Sequence, residues 1–182
     1  MKKIDFRSLM PNLITLAGLC FGLSSIRFAL EAQFETAVVF IIFAAICDVL
    51  DGLVARILNS QSELGAELDS LADFVNFGVA PGLVLYMSIM QERDFVGSIA
   101  VLIFILFSCI RLAIFNLDSE DKDTDETGFF MGIPTPVGAV LILLPLTHTF
   151  LGFDWALENI NLVALYTVLI GALLISRVPT LS

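Results

Sequence analysis

Polar residues in this chain are gathered between six stretches that are almost wholly apolar, at Leu13–Leu30, Ala37–Ile57, Leu68–Met90, Phe95–Phe115, Val137–Leu151 and Leu162–Ser176. A helix that crosses the hydrocarbon core of a bilayer needs about 20 mostly apolar residues. Backbone groups in lipid must satisfy one another within the segment, so runs of this kind are expected as helices. The pattern therefore predicts an all-α integral membrane protein, a bundle of six transmembrane helices forming one domain over residues 1–182. Pro134 and Pro136 mark the entry to the fifth helix. The first stretch follows Met1-Lys2-Lys3 but has no convincing small-residue cleavage site, so it is expected to stay as an anchor.

Six crossings put both termini on one side. Lys2, Lys3, Arg7, Arg56, Arg111, Lys122 and Arg177 fall on that side, and only Arg27 and Arg93 on the other. Basic residues accumulate in cytoplasmic loops. The termini, the 57–67 turn and the 116–133 loop are therefore expected in the cytoplasm.

Composition agrees with the pattern. Of the 182 residues, 58% are hydrophobic and 15% charged, and the mean hydropathy is +0.94; soluble domains hold about 45–50% apolar residues. The net charge of −10 gives no support to nucleic-acid binding. Six acids lie in the run from Asp118 to Glu126, which reads as a solvated connection. Cys20, Cys47 and Cys109 lie singly in apolar runs and read as reduced packing residues. The one histidine, His148, reads as interfacial.

Four acids do not fit a solvated role. Asp48 and Asp51 lie near the end of the second stretch, and Asp69 and Asp73 open the third. Residues three and four apart share a helix face. Asp48, Asp51, Gly52 and Ala55 then line one face, and Gly65, Asp69, Asp73 and Asn76 another. A short turn joins the two helices, so the faces can meet as four carboxylates around one cleft. Such a cluster suffers mutual repulsion and desolvation. Divalent cations relieve both, and Mg²⁺ or Mn²⁺, which prefer oxygen ligands, suit a site able to hold two ions. Gly52 and Ala55 leave room for phosphate beside the acids, and Arg56 offers a planar cation to it. An intramembrane cation transporter is the competing reading of the same acids.

The spacing Asp48-x2-Asp51-Gly52-x2-Ala55-Arg56-x8-Gly65-x3-Asp69-x3-Asp73 resembles the signature of the CDP-alcohol phosphatidyltransferases at all eight fixed positions. The resemblance implies six transmembrane helices, a homodimer and a site facing the cytoplasm. It also implies a two-metal centre built from Asp48, Asp51, Asp69 and Asp73, with Asp73 as general base. The blocks Pro11-Asn12-Leu-Ile-Thr15, Asp69 to Pro81, Arg111-Leu-Ala-Ile-Phe-Asn116 and Gly132-Ile-Pro134-Thr-Pro136 are similar to those of CDP-diacylglycerol–serine O-phosphatidyltransferases. Two positions depart from that pattern: Ile114 stands where a second arginine is usual, and Asn76 where a serine is.

On this reading the substrates are CDP-diacylglycerol and serine, and the products phosphatidylserine and CMP. Asn12, Gly52, Ala55, Arg56, Ser62 and Gly65 are expected to hold the CDP-lipid. Arg111, Asn116 and Asn76 are expected around the acceptor, with Arg111 offering a cation to the serine carboxylate. The alternative within the family is a sister enzyme whose acceptor is glycerol phosphate or inositol phosphate.

Overall fold

A computed structural model describes residues 6–60, 62–120 and 132–176. Among them the chain is all-helical. The principal helices are α1 (Phe6–Leu30), α2 (Phe34–Ile57), α3 (Glu63–Met90), α4 (Asp94–Glu120), α5 (Thr135–Phe150) and α6 (Ile160–Leu174). A single helical turn, Trp155–Glu158, precedes α6. The four helices α1 to α4 are long and apolar enough to cross a membrane, and α5 and α6 are shorter apolar helices. Large apolar side chains cover the outside of the bundle, Val49 at 69% exposure and Leu106 at 60% among them. In water that surface would drive aggregation; in a bilayer it is the solvated face. The protein is an integral membrane helical protein.

Tight turns bring the first three helices together. At the end of α1 the Gln33 amide donates to the Phe28 carbonyl at 2.9 Å, with Ala32 in the left-handed region at φ 57°. At the end of α2 the Ser60 amide donates to the Ala55 carbonyl at 3.0 Å, with Asn59 left-handed at φ 48°. Both conform to the helix-closing pattern in which a left-handed residue lets a later amide satisfy an orphan carbonyl. Asparagine tolerates that conformation because its short polar side chain bonds locally. Ser62 then caps α3, accepting the Gly65 amide at 3.1 Å.

α3 lies at the centre of the bundle: 56% of its apolar window is buried, against 22 to 33% for α1, α2 and α4. Its buried side chains Val84, Leu85 and Met90 meet Phe104 of α4, Ile142 of α5 and Val163 of α6 in one core. Phe21 of α1 meets Phe40 of α2 edge-on at 5.8 Å between ring centroids, and Phe28 meets it tilted at 4.8 Å. α3 is not uniformly α-helical. Phe74–Val79 and Tyr86–Met90 are π-helical turns, and the Ala80 amide reaches back to the Val75 carbonyl. A π turn inserts an extra residue and rotates the helix beyond it, and such turns are frequent at functional sites.

Each expected apolar stretch forms a helix, with ends that differ. α3 starts at Glu63 rather than Leu68 because the Ser62 cap adds a polar first turn. α4 continues to Glu120, so Asp118, Ser119 and Glu120 extend a helix instead of opening the acidic loop. The remainder of that loop with Lys122, and also Lys2, Lys3 and Arg177, lie outside the described residues. His148 sits at the end of α5 among Phe153 and Trp155, with ring centroids 6.4 and 6.2 Å away. An aromatic group of this kind suits a membrane–water interface.

Candidate metal and phosphate site

The short α2–α3 turn sets the carboxylate-bearing ends of the two helices side by side. One carboxylate oxygen each from Asp48, Asp51 and Asp69 lies within 4.8 Å of the others. Asp73, one turn beyond Asp69, brings its carboxyl group against that of Asp48. The four acids therefore form a trio with a fourth member abutting it. Thr15 of α1 lies against Asp51, its hydroxyl donating to the Pro11 carbonyl at 3.1 Å.

The arrangement fits a divalent cation. Asp51 is buried at 4% exposure, and its Oδ2 has no hydrogen-bond partner. A buried carboxylate oxygen without a donor is costly. Two further carboxylate oxygens converge beside it, which adds repulsion that a hard cation removes. The acidic cluster of Asp48, Asp51 and Asp69 is thus a set of oxygen donors able to bind a metal ion.

The helix position next to Asp51 is open. A Cβ built on Gly52 would meet nothing within 4 Å. Ala55 is half-buried and Arg56 is exposed in the last turn of α2. At the start of α3 a second corner forms. A Cβ on Gly65 would stand 3.0 Å from Asn12 Oδ1 and 3.1 Å from Ser62 Oγ. The structure thus gathers Asn12, Ser62 and Gly65 from α1 and α3, and Asp48, Asp51 and Asp69 from α2 and α3.

The three residues expected around the acceptor separate into two groups. Asn76 is buried in the first π turn, packed against Gly18 and Gly22 of α1, and its Oδ1 has no partner. Arg111 and Asn116 are on α4. Arg111 is buried, donates from Nε to the Ile133 carbonyl at 3.2 Å, and lies 5.3 Å from the centroid of the Phe115 ring. Asn116 Oδ1 accepts the Ser70 hydroxyl of α3 at 3.0 Å. Gly132 supports the Arg111 partner: at φ 85°, a side chain there would strike the Leu174 carbonyl. Ser70, Thr15 and the Ile133 carbonyl were not among the expected site groups. Helical spacing offered a signal for Ser70, three residues before Asp73; nothing in the sequence pairs it with Asn116.

Carboxylates from two apolar helices converge beside an open glycine position, a donor set able to hold a metal ion in an integral membrane protein. The chain belongs to the CDP-alcohol phosphatidyltransferase family, whose model matches residues 8–175. It is 45% identical over 175 residues to the CDP-diacylglycerol–serine O-phosphatidyltransferase of Mycobacterium leprae (strain TN), covering 94% of this chain and 57% of that protein. Proteins of the same name from Helicobacter pylori (strain 26695) and Bacillus subtilis (strain 168) are 37% identical over 172 residues and 35% over 140. Those matches cover 93% and 76% of this chain, and 70% and 76% of the relatives. The chain spans 48 to 60% of the length of the mycobacterial relatives it matches.

Proposed function

We propose that the chain is a CDP-diacylglycerol–serine O-phosphatidyltransferase, moving the phosphatidyl group of CDP-diacylglycerol to the serine hydroxyl and releasing CMP. The observation that carries this reading is the convergence of Asp48, Asp51 and Asp69 next to the open face of Gly52. The names of the relatives from M. leprae, H. pylori and B. subtilis support serine as the acceptor.

Asp48, Asp51, Asp69 and Asp73 would hold the divalent cations, Mg²⁺ or Mn²⁺, two per site. When bound they supply Lewis-acid stabilisation of the phosphoryl oxygens and of the departing phosphate. Arg56 and the open face at Gly52 and Ala55 hold the diphosphate, and Asn12, Ser62 and Gly65 border the nucleotide end. The acyl chains remain in lipid.

Arg111 and Asn116 orient serine so that its hydroxyl faces Asp73. The serine oxygen attacks the phosphorus attached to the diacylglycerol oxygen. Asp73 accepts the hydroxyl proton as the new P–O bond forms, and the bond from that phosphorus to the CMP oxygen breaks. A carboxylate is a weak base for an alcohol, so proton removal is concerted with attack. Positioning and charge stabilisation account for most of the acceleration.

The proposed topology has six transmembrane helices in one domain, both termini and the site on the cytoplasmic side, and a homodimeric assembly. The test is CMP release by the purified protein from CDP-diacylglycerol, with serine, glycerol phosphate and inositol phosphate as separate acceptors and Mg²⁺ or Mn²⁺ present. Release with serine alone supports the reading. Release only with another acceptor moves the protein to a sister activity, and metal flux into liposomes without CMP release replaces the enzyme by a transporter.

A further inference from the structure

The run Gly132-Ile133-Pro134 leads into α5 and is held through its main chain on two sides. The Pro134 carbonyl accepts the Gly138 amide at 3.1 Å and so starts α5. The Ile133 amide reaches the Leu173 carbonyl of α6 at 3.5 Å, and the Ile133 carbonyl accepts Nε of Arg111 on α4 at 3.2 Å. One residue thus ties the last turn of α6 to Arg111. Two glycines let that turn come so close. Gly132 is left-handed at φ 85°, a conformation that side chains disfavour, and a Cβ there would strike the Leu174 carbonyl. A Cβ on Gly138, in the first turn of α5, would stand 2.6 Å from Leu174 Cδ2. Leu174 is fully buried. Its carbonyl and its side chain therefore seat the strap and the start of α5 together.

We infer that the Gly132–Ile133 strap and its seat on Leu174 are positioning elements for the acceptor pocket: they fix the Ile133 carbonyl and, through it, the lie of the Arg111 guanidinium. A free arginine side chain samples many rotamers, and holding it costs entropy. Nε stands at the base of the guanidinium plane, so a fixed oxygen bonded to it sets the tilt of that plane. A carbonyl that shifts either carries the plane with it or releases it. Neither Gly132 nor Leu174 touches the acceptor; both act through Arg111. The Gly132-Ile133-Pro134 run then has a role that depends on backbone geometry instead of side-chain chemistry. The inference rests on the reading of Arg111 as an acceptor-pocket residue.

The experiment measures CMP release by the full chain in detergent, with CDP-diacylglycerol and serine, for Arg111→Ala, Gly132→Ala, the two combined, Leu174→Ala and Leu174→Met. Gly132→Ala should raise the serine KM roughly fivefold to tenfold, the size of one hydrogen bond, and hold the lipid KM within about twofold. Leu174→Ala should act in the same direction, while Leu174→Met, which keeps the volume, should stay near the wild type. The combined variant should be no worse than Arg111→Ala alone, because the strap works through the arginine. Should Gly132→Ala not fold, the two Leu174 variants decide the matter. Equal rises in both KM values, additive effects in the combined variant, or a Leu174→Met protein as impaired as Leu174→Ala overturns the positioning role. An Arg111→Ala protein with the wild-type serine KM, or a wild type inactive with serine, overturns the reading of the acceptor pocket and this inference with it. A rise for Arg111→Ala without one for Gly132→Ala and Leu174→Ala overturns this inference alone.

Discussion

Gly22 of α1 faces Asn76 of α3 so closely that a Cβ on the glycine would fall on the Asn76 carboxamide oxygen, with the Asn76 Cα only 3.4 Å away. Because the backbone of α3 stands behind the side chain, rotation of Asn76 alone cannot clear room for a larger residue. Gly22→Val should lower the thermal midpoint of the detergent-solubilised protein, a loss of about 1–3 kcal/mol for overpacking. Gly22→Ala combined with Asn76→Ala should recover most of the stability lost by Gly22→Ala alone. A Gly22→Val protein that melts with the wild type would show that α1 and α3 are not held at this distance.

Gly52 gives the opposite combination. Nothing approaches its Cβ position, and it stands inside α2. Alanine in a helix interior is favoured over glycine by about 0.5–1 kcal/mol. Gly52→Ala should therefore stabilise the fold, whereas Gly52→Leu should fill the face assigned to the diphosphate and raise the KM for CDP-diacylglycerol. Thermal melts and KM values for the two variants check the two signs, and an unchanged lipid KM in Gly52→Leu removes this face from the donor site.

The roles proposed for the carboxylates can be tested apart. Asp51→Asn takes a charge from the trio whose buried oxygen has no donor. It should weaken Mn²⁺ binding by more than about tenfold, since even the residues supporting metal ligands contribute about 10–100-fold. Asp73→Asn should keep the fold and lose about 10²–10⁴-fold in kcat, the range for a positioned base. Titration of Mn²⁺ by electron paramagnetic resonance, alongside CMP release, separates them. An Asp73→Asn enzyme with near wild-type turnover removes it as the base.

Arg111 donates from Nε to the Ile133 carbonyl at 3.2 Å. Arg111→Lys keeps the charge but loses that planar anchor. Both Arg111→Ala and Arg111→Lys should raise the KM for serine, by about 10–100-fold for a charge-assisted contact, and change that for the lipid little. Full rescue by lysine would mean that charge alone is used.

The helices were legible because membrane segments announce themselves by length and hydropathy. The meeting of Asp48, Asp51 and Asp69 was legible because helical spacing and a short turn leave few alternatives. Asp73 was placed on the same face, and the structure sets it against Asp48. Less accessible was anything decided between distant segments. The start of α3 depends on the Ser62 cap, a local signal that hydropathy passes over. The π turns at Phe74–Val79 and Tyr86–Met90 have no composition signature, since packing against neighbours sets them. The Ser70–Asn116 and Arg111–Ile133 bonds join residues 46 and 22 positions apart, and no periodicity reports such pairs.

The closure of α2 by Asn59 and the capping of α3 by Ser62 have a wider consequence. They make the geometry of the acidic groups a property of low contact order, written into one helical hairpin and its tight bend. The groups on α4 and at Ile133 come from elsewhere along the chain. Such a division lets the two portions vary independently: under the proposed function, changes on α4 would alter which alcohol enters, while the groups assigned to the diphosphate stay as they are.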